Sequence, residues 1–197
     1  MPSRTQSTSD YPILLFKTPG DWERWLRQHC EGAPGVWLRL AKKDSSLASV
    51  SYAEAVELAL CYGWIDGQKR THDQFSWIQK FTPRGRRSGW SKINREKAEA
   101  LIRSGRMQPS GLAAVTLARQ DGRWDAAYDS PSRAAVPPDF QAALDRHTKA
   151  KAFFTTLSGA NRYALLYRLQ TARKAETRAR RIEQFIDMLE RGKTIHP

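Results

Sequence analysis

The apolar pattern of the chain changes period near residue 90, and this change limits the folds that the chain can form. Residues 35–43 alternate between two faces, which is the two-residue period of a β-strand. Residues 64–83 contain two further short runs of this kind around a turn at 72–74. From Ser91 onward the pattern is helical throughout. We therefore expect an α+β protein, mostly helical, with a small N-terminal antiparallel sheet of about three strands.

Capping residues mark where the helices begin and end. Thr18 followed by Pro19 indicates the start of a first helix, because a hydroxyl cap and a proline both suit that position. Ser51 and Glu54 are spaced as a capping box, and Gly63 is placed to end the helix that follows. Further helices are expected over 92–104, 109–121, 138–147 and 148–158, with two helical segments within 160–191.

The length of the chain fits a single domain. Residues 1–12 are polar and are expected to form a flexible tail, which leaves 13–192 as one domain. The chain starts without an apolar export segment and has no apolar run of membrane-spanning length, so we expect a cytoplasmic location and no transmembrane segment. Cys30 and Cys61 are expected to be free thiols. The four histidines are scattered without metal-ligand spacing, and no nucleotide-binding or hydrolase signature occurs, so we expect neither a metal nor a cofactor.

The charge of the chain favours anionic partners. Lysine and arginine number 33 against 20 aspartate and glutamate, which gives a net charge of +13 and a pI near 10.1. Such a balance suits nucleic acid, phosphorylated small molecules or an anionic membrane surface, and composition does not select among them. Residues 80–97 concentrate this charge, with seven basic residues against one acidic residue.

The stretch FTPRGRRSGWSKIN (81–94) is the strongest candidate for a site. Arg84, Arg86 and Arg87 lie in a turn that leads to the expected helix start at Ser91, where free backbone N–H groups favour an anion. Arginine forks add bidentate geometry for phosphate or carboxylate. The alternative is a basic turn whose arginines are solvated.

Three other features have a structural alternative beside the functional one. Asp66 lies in GWIDGQKR and suits a general base, although a structural ion pair with a nearby arginine such as Arg84 is the favoured alternative. Trp64 and Trp77 are expected in the core, whereas Trp90, between a glycine and a serine, is the better candidate for a stacking role. A basic helix face contains Lys174, Arg178 and Arg181 and suits either an anion contact or a salt-bridged surface.

The order of these motifs resembles the bacterial YdeI/OmpD-associated family, also described as bacteriocin-protection proteins. The resemblance rests on SYAEAVELALCYGWIDGQKR, FTPRGRRSGWSKIN, SGRMQPSGL, DGRWDAAY and TARKAETRARRIEQF, and it spans about residues 15–192. It implies a role in stress and antimicrobial resistance, and the family name also implies an outer-membrane porin partner and a periplasmic setting. We expect no export signal in this chain and therefore do not expect the porin partner here. The resemblance implies no reaction and no catalytic residue.

The motif positions and the charge together define the expected ligand site. We expect it to contain Asp66, Arg84, Ser88, Trp90, Ser91, Asn94, Arg178 and Arg181. Three hypotheses about function follow. The first is an anion-binding protein with Arg84, Ser91, Asn94 and Arg178 around a phosphate or carboxylate. The second is an enzyme acting on a small anionic substrate, with Asp66 as acid or base. The third is a nucleic-acid-binding protein.

Overall fold

The computed structural model describes residues 11–197 and confirms the α+β class. The predicted tail lies outside these residues, apart from positions 11 and 12. In chain order the elements are β1 (Ile13–Leu14), α1 (Pro19–His29), β2 (Val36–Ala41), α2 (Tyr52–Cys61), β3 (Trp64–Thr71), β4 (Ser76–Pro83), α3 (Lys92–Arg103), α4 (Pro109–Gln120), α5 (Pro138–Arg146), α6 (Thr148–Thr156), α7 (Gly159–Gln170) and α8 (Ala175–Glu190).

These elements belong to two compact units. Unit 1 consists of residues 11–88 and 94–125, and unit 2 consists of residues 89–93 and 126–197. Unit 1 contains the sheet together with α1, α2 and α4, and unit 2 contains the helices from α5 to α8.

The sheet of unit 1 has four strands in the order β1-β2-β4-β3. The three long strands pair antiparallel, as the alternating pattern predicts, and β3 and β4 form a hairpin. The fourth strand, β1, pairs parallel to β2, so the sheet is mixed and the expectation of a wholly antiparallel sheet of about three strands is wrong in this respect. A strand of two residues is too short to show any alternation, which is why the sequence pattern does not predict it.

The predicted helix caps are present in unit 1. The Thr18 hydroxyl accepts a hydrogen bond from the Asp21 N–H, and Ser51 and Glu54 form the reciprocal bonds of a capping box. Gly63 follows α2 with a φ of +73°, a conformation that residues with a Cβ rarely adopt. A Cβ at this position would also lie 2.7 Å from the backbone oxygen of Ser110, so the site requires glycine on two counts.

An aromatic cluster forms the core of unit 1. The fully buried Trp22 stacks on Trp25 with ring centroids 5.3 Å apart and meets Trp64 edge-on at 6.5 Å. Two buried indoles of the cluster have hydrogen-bond acceptors, since Trp22 donates to a carbonyl of α2 and Trp64 donates to the carbonyl of Cys30. Trp64 is therefore a core residue, as predicted. Trp77 is only half-buried, so the prediction that it belongs to the core is wrong.

Unit 2 is a helical bundle around Phe140. Its ring packs edge-on against Phe154 and Phe185, with centroids 5.6 Å and 6.4 Å away. The apolar stripe predicted on α8 faces this core, since Phe185, Ile186 and Leu189 are all buried. Cys30 and Cys61 are free thiols, as expected. None of the helices among residues 11–197 is long and apolar enough to span a bilayer.

Candidate functional site

The turn at residues 84–88, here called the basic loop, follows β4 in unit 1. The Arg84 N–H donates to the carbonyl of Gly63 at 2.9 Å and so extends the β3–β4 hairpin by one bond. The Gly85 N–H donates to the Ser88 hydroxyl at 3.1 Å, and the Ser88 N–H donates to the Gly85 carbonyl at 3.0 Å. Ser88 therefore closes the turn. The side chain of Arg84 is half-buried, while Arg86 and Arg87 are exposed.

A buried arginine supports the basic loop from within unit 1. Arg123 is 5% exposed, and its Nη1 donates to the carbonyl of Ser88 at 2.8 Å. Its Nε and Nη2 bind the carboxylate of Asp121 at 2.8 Å. Gly122, with a φ of +74°, makes the bend that brings these two neighbouring side chains together. The basic loop is thus held both by its own backbone bonds and by a charged group beneath it.

Arg123 belongs to the motif DGRW, yet the sequence does not indicate that it contacts the basic loop. The sequence could have predicted only the local ion pair, because Asp121 and Arg123 lie on either side of Gly122. The neighbouring indole of Trp124 lies under the guanidinium of Arg119, 5.0 Å from the ring centroid, and its carbonyl accepts from Arg95 at 3.3 Å. The motif therefore organises several arginines within unit 1.

The residues just before α3 belong to unit 2 and pair with the segment around Tyr128. The Tyr128 N–H donates to the Trp90 carbonyl, the Lys92 N–H donates to the Tyr128 carbonyl, both at 2.9 Å, and Ser91 forms a β-bridge with Tyr128. Trp90 is 1% exposed, so its ring is part of a core, and the stacking role expected for it has no exposed face to act through. Asn94, on the first turn of α3, is half-buried.

Asp66 lies on β3 in unit 1, opposite Phe81 of β4. Its Oδ2 accepts a hydrogen bond from the Tyr52 hydroxyl at 2.7 Å. Burial, and then this hydrogen bond, raise the pKa of Tyr52, so the phenol stays protonated and remains a donor. This phenol therefore engages one oxygen of the carboxylate, and the structural ion pair with a nearby arginine such as Arg84 stays a prediction.

The surroundings of Asp66 are aromatic and basic. The ring of Tyr52 packs at 5.7 Å against Trp77, and the ammonium group of Lys69 lies 4.3 Å from the centre of the Trp77 ring. Asp66 is half-buried, and only its Oδ2 is engaged by a described residue. This carboxylate can accept a proton or bind a cationic group through Oδ1.

Arg178 and Arg181 lie on α8 in unit 2, and both contact the rest of the bundle. Arg178 binds both oxygens of Asp139 at 2.6 Å and 2.9 Å, and its Nη1 donates to the Leu169 carbonyl at 2.7 Å. This bidentate bond lowers the pKa of Asp139. Arg181 donates to the carbonyl of Arg168. All three guanidinium nitrogens of Arg178 are thus occupied within the bundle.

The expected site residues are divided between the two units. Unit 1 contains Asp66, Arg84, Ser88 and Asn94, and the bond from Arg84 to Gly63 joins the FTPR motif to the GWIDG motif. Unit 2 contains Trp90, Ser91, Arg178 and Arg181. Within residues 11–197, no three or more histidine, cysteine, aspartate or glutamate side chains are grouped as a metal site would need.

Comparison with known families matches two parts of the chain. Residues 14–114 match the model described as Domain of unknown function (DUF8412). Residues 133–192 match the model described as Bacteriocin-protection, YdeI or OmpD-Associated, which confirms the resemblance over that region. No curated protein and no solved structure matches the chain.

Proposed function

The chain belongs to the family described as a domain of unknown function (DUF8412), and we propose that it binds a small anionic ligand through the basic loop. The main evidence for this proposal is that Arg123 holds the loop in place, since its Nη1 donates to the Ser88 carbonyl at 2.8 Å. A loop that is already ordered loses little conformational entropy when it binds a ligand. The exposed Arg86 and Arg87 can therefore bind an anion with little loss of conformational entropy in the loop backbone.

The chemistry of the loop favours phosphate or carboxylate. Between Arg84 and Ser88 there are three guanidinium groups and no acidic residue. The exposed guanidinium groups of Arg86 and Arg87 each present a planar fork of donors that matches two oxygens of an anion. The hydroxyl of Ser88 closes the turn, so we assign the contact with the ligand to the arginines.

The family matched by residues 133–192 is named for protection against bacteriocins, and we propose that anion binding serves a stress or antimicrobial-resistance role of that kind. Direct capture of a cationic peptide by the protein as a whole fits poorly with a net charge of +13, because like charges repel. A small anion as the ligand fits both the charge and the loop.

Titration calorimetry with pyrophosphate, inorganic phosphate and citrate tests this proposal. We expect Arg84→Ala, Arg86→Ala and Arg87→Ala each to weaken binding by about tenfold, the loss of one charge-assisted hydrogen bond. Arg103→Ala, which removes an exposed arginine of α3 outside the loop, is the matched control and should bind like the wild type. If all three loop variants keep wild-type affinity for each anion that binds, the loop is not the site.

The hydrogen bond between Tyr52 and Asp66 favours an enzyme as the second candidate function. It orients the carboxylate and leaves Oδ1 available to take a proton from a substrate. Hydrolysis of p-nitrophenyl phosphate and p-nitrophenyl acetate is the first assay. In this case Asp66→Asn should abolish turnover while Arg103→Ala keeps it, and equal turnover by both variants would exclude Asp66 as the acid or base.

Nucleic-acid binding is the third candidate, and salt dependence distinguishes it from small-anion binding. Contacts with phosphates of a duplex release counterions, so affinity for a 20-base-pair DNA should fall by orders of magnitude between about 50 and 200 mM salt. An affinity that hardly changes over this range would contradict nucleic-acid binding and leave the small anion as the ligand.

A further inference from the structure

A groove of about 600 Å³ runs along one side of α7 in unit 2. We call it the α7 groove and define it by Ala160, Tyr163, Ala164, Tyr167, Arg168 and His196. The two alanines and two tyrosines recur at helical spacing, so they share one face of α7. Small side chains here leave room beside two large aromatic walls. Its volume is that of sites which hold small organic ligands.

The aromatic walls are held in place by other parts of unit 2. The hydroxyl of Tyr163 donates to the Asp129 carbonyl at 2.9 Å. The ring of Tyr128 packs edge-on against Tyr167, with centroids 4.9 Å apart, and Tyr163 and Tyr167 lie 5.9 Å from each other. Tyr167 is nevertheless 37% exposed. A fixed ring with an open face suits stacking against a flat ligand, because little freedom is lost on binding.

A buried amide holds the chain segment that contributes His196 to the groove. Asn161 is 7% exposed, and its Oδ1 accepts from the backbone N–H groups of Ile195 at 3.1 Å and His196 at 2.8 Å. Its Nδ2 donates to the His196 carbonyl at 3.2 Å. This set of bonds fixes the chain segment that places His196 at the groove. The α7 groove is therefore lined by several groups with a defined position.

The charged residues that line the groove favour a ligand with a negative charge. None of the described lining residues is acidic, whereas the exposed guanidinium of Arg168 lies at one end. An anion placed beside Arg168 would meet no opposing carboxylate among these residues. We propose that the α7 groove binds a planar aromatic ligand that carries a negative charge, such as an aromatic carboxylate or a nucleotide. All of its residues belong to unit 2, whereas the basic loop belongs to unit 1.

Calorimetric titration of the full chain with 4-hydroxybenzoate and adenosine 5′-monophosphate tests the proposal. We expect at least one of these two probes to bind with a Kd below about 1 mM. Cyclohexanecarboxylate, which has the charge without the ring, should bind at least tenfold more weakly than that probe, as should inorganic phosphate at this site. Binding of the carboxylate alone would identify an aromatic acid site, and binding of the nucleotide alone a nucleotide site. If neither aromatic anion binds, the proposal is overturned.

Substitutions in the α7 groove, each paired with a control outside it, test whether the probes bind there. Ala160→Leu fills the groove without removing a hydrogen bond and should weaken binding at least tenfold, whereas Ala152→Leu on the exposed side of α6 should not. Arg168→Ala should weaken binding about tenfold, while Arg180→Ala, an exposed arginine of α8 outside the groove, should have no effect. If each variant and its control change the affinity for the probes equally, the probes do not bind in the α7 groove. A double Arg86→Ala/Arg87→Ala variant should bind these probes normally, which separates this site from the basic loop.

Discussion

The support of the basic loop by Arg123 can be tested by removing it. In Arg123→Ala, Asp121 loses a bidentate partner, and the Ser88 carbonyl loses a charged donor at 2.8 Å. Removing one partner of a buried ion pair costs about 3–5 kcal/mol, because the other charge is left without compensation. The carboxylate of Asp121 is 37% exposed and can rehydrate, so we take the lower end of this range, about 3 kcal/mol.

The expected loss is large enough to measure by equilibrium unfolding. A change of about 3 kcal/mol shifts the folding equilibrium by roughly 100-fold and lowers the Tm of a chain this size by about 6–12 °C. Urea titration followed by tryptophan fluorescence gives the free energy of unfolding, and the slope with denaturant should stay unchanged if only stability is altered. We expect Arg123→Lys to recover less than half of the loss, since lysine lacks the planar fork.

A double-mutant cycle with Asp121→Ala separates the ion pair from the loss of packing. The two single changes and the double change should give a coupling energy of at least about 1 kcal/mol, as residues in direct contact do. If the two single changes add to within about 0.5 kcal/mol, or if Arg123→Ala alone costs less than that, the ion pair does not stabilise unit 1 and our account of the loop is wrong.

Three further changes have defined outcomes. Gly111→Ala should lower the free energy of unfolding by about 1–3 kcal/mol in thermal melts, because the added Cβ would overlap the backbone oxygen of Cys61. Burial raises the pKa of Tyr163 to about 12, above its usual value near 10, so its contribution to stability is full below about pH 10 and is lost as the pH rises towards 12. Tyr163→Phe should therefore flatten the alkaline part of the stability profile measured by denaturant titration. The hydrogen bond from Arg178 lowers the pKa of Asp139, so the stability of that pair is full above about pH 4 and is lost in more acidic solution. Arg178→Lys should raise the pKa of Asp139 towards its usual value in a carbon-detected NMR titration, and an unchanged pKa would contradict the assigned cause.

The local structure of this chain follows closely from its sequence. The caps at Thr18 and Ser51 place α1 and α2 within a residue or two of the observed bounds, because capping depends on side chains next to the helix end. The helices after Ser91 are also confirmed, for their apolar stripes repeat over several turns. The parallel strand β1 is the exception, since its pairing with β2 depends on contacts between distant residues.

The candidate site is less predictable, because the same residue type serves binding and structure equally well. A basic helix face indicates an anion contact or a salt-bridged surface, and its spacing does not reveal that Arg178 pairs with Asp139 and binds the end of α7. Trp90 has a glycine and a serine beside it, yet its side chain is only 1% exposed. The spacing within a motif shows which side chains share a face and does not show what that face contacts.

The aromatic cluster of unit 1 has a practical consequence for spectroscopy. Of the seven tryptophans, six belong to unit 1, and Trp90 alone belongs to unit 2. Intrinsic fluorescence excited at about 295 nm therefore reports mainly on unit 1, while the helical ellipticity at about 222 nm includes the bundle of unit 2. The rings of Trp22 and Trp25 are stacked with an angle of 13° between their planes, close enough for their electronic transitions to couple. Comparing the emission, the ellipticity and this exciton signal through one unfolding titration would reveal whether the two units melt in one step or in two.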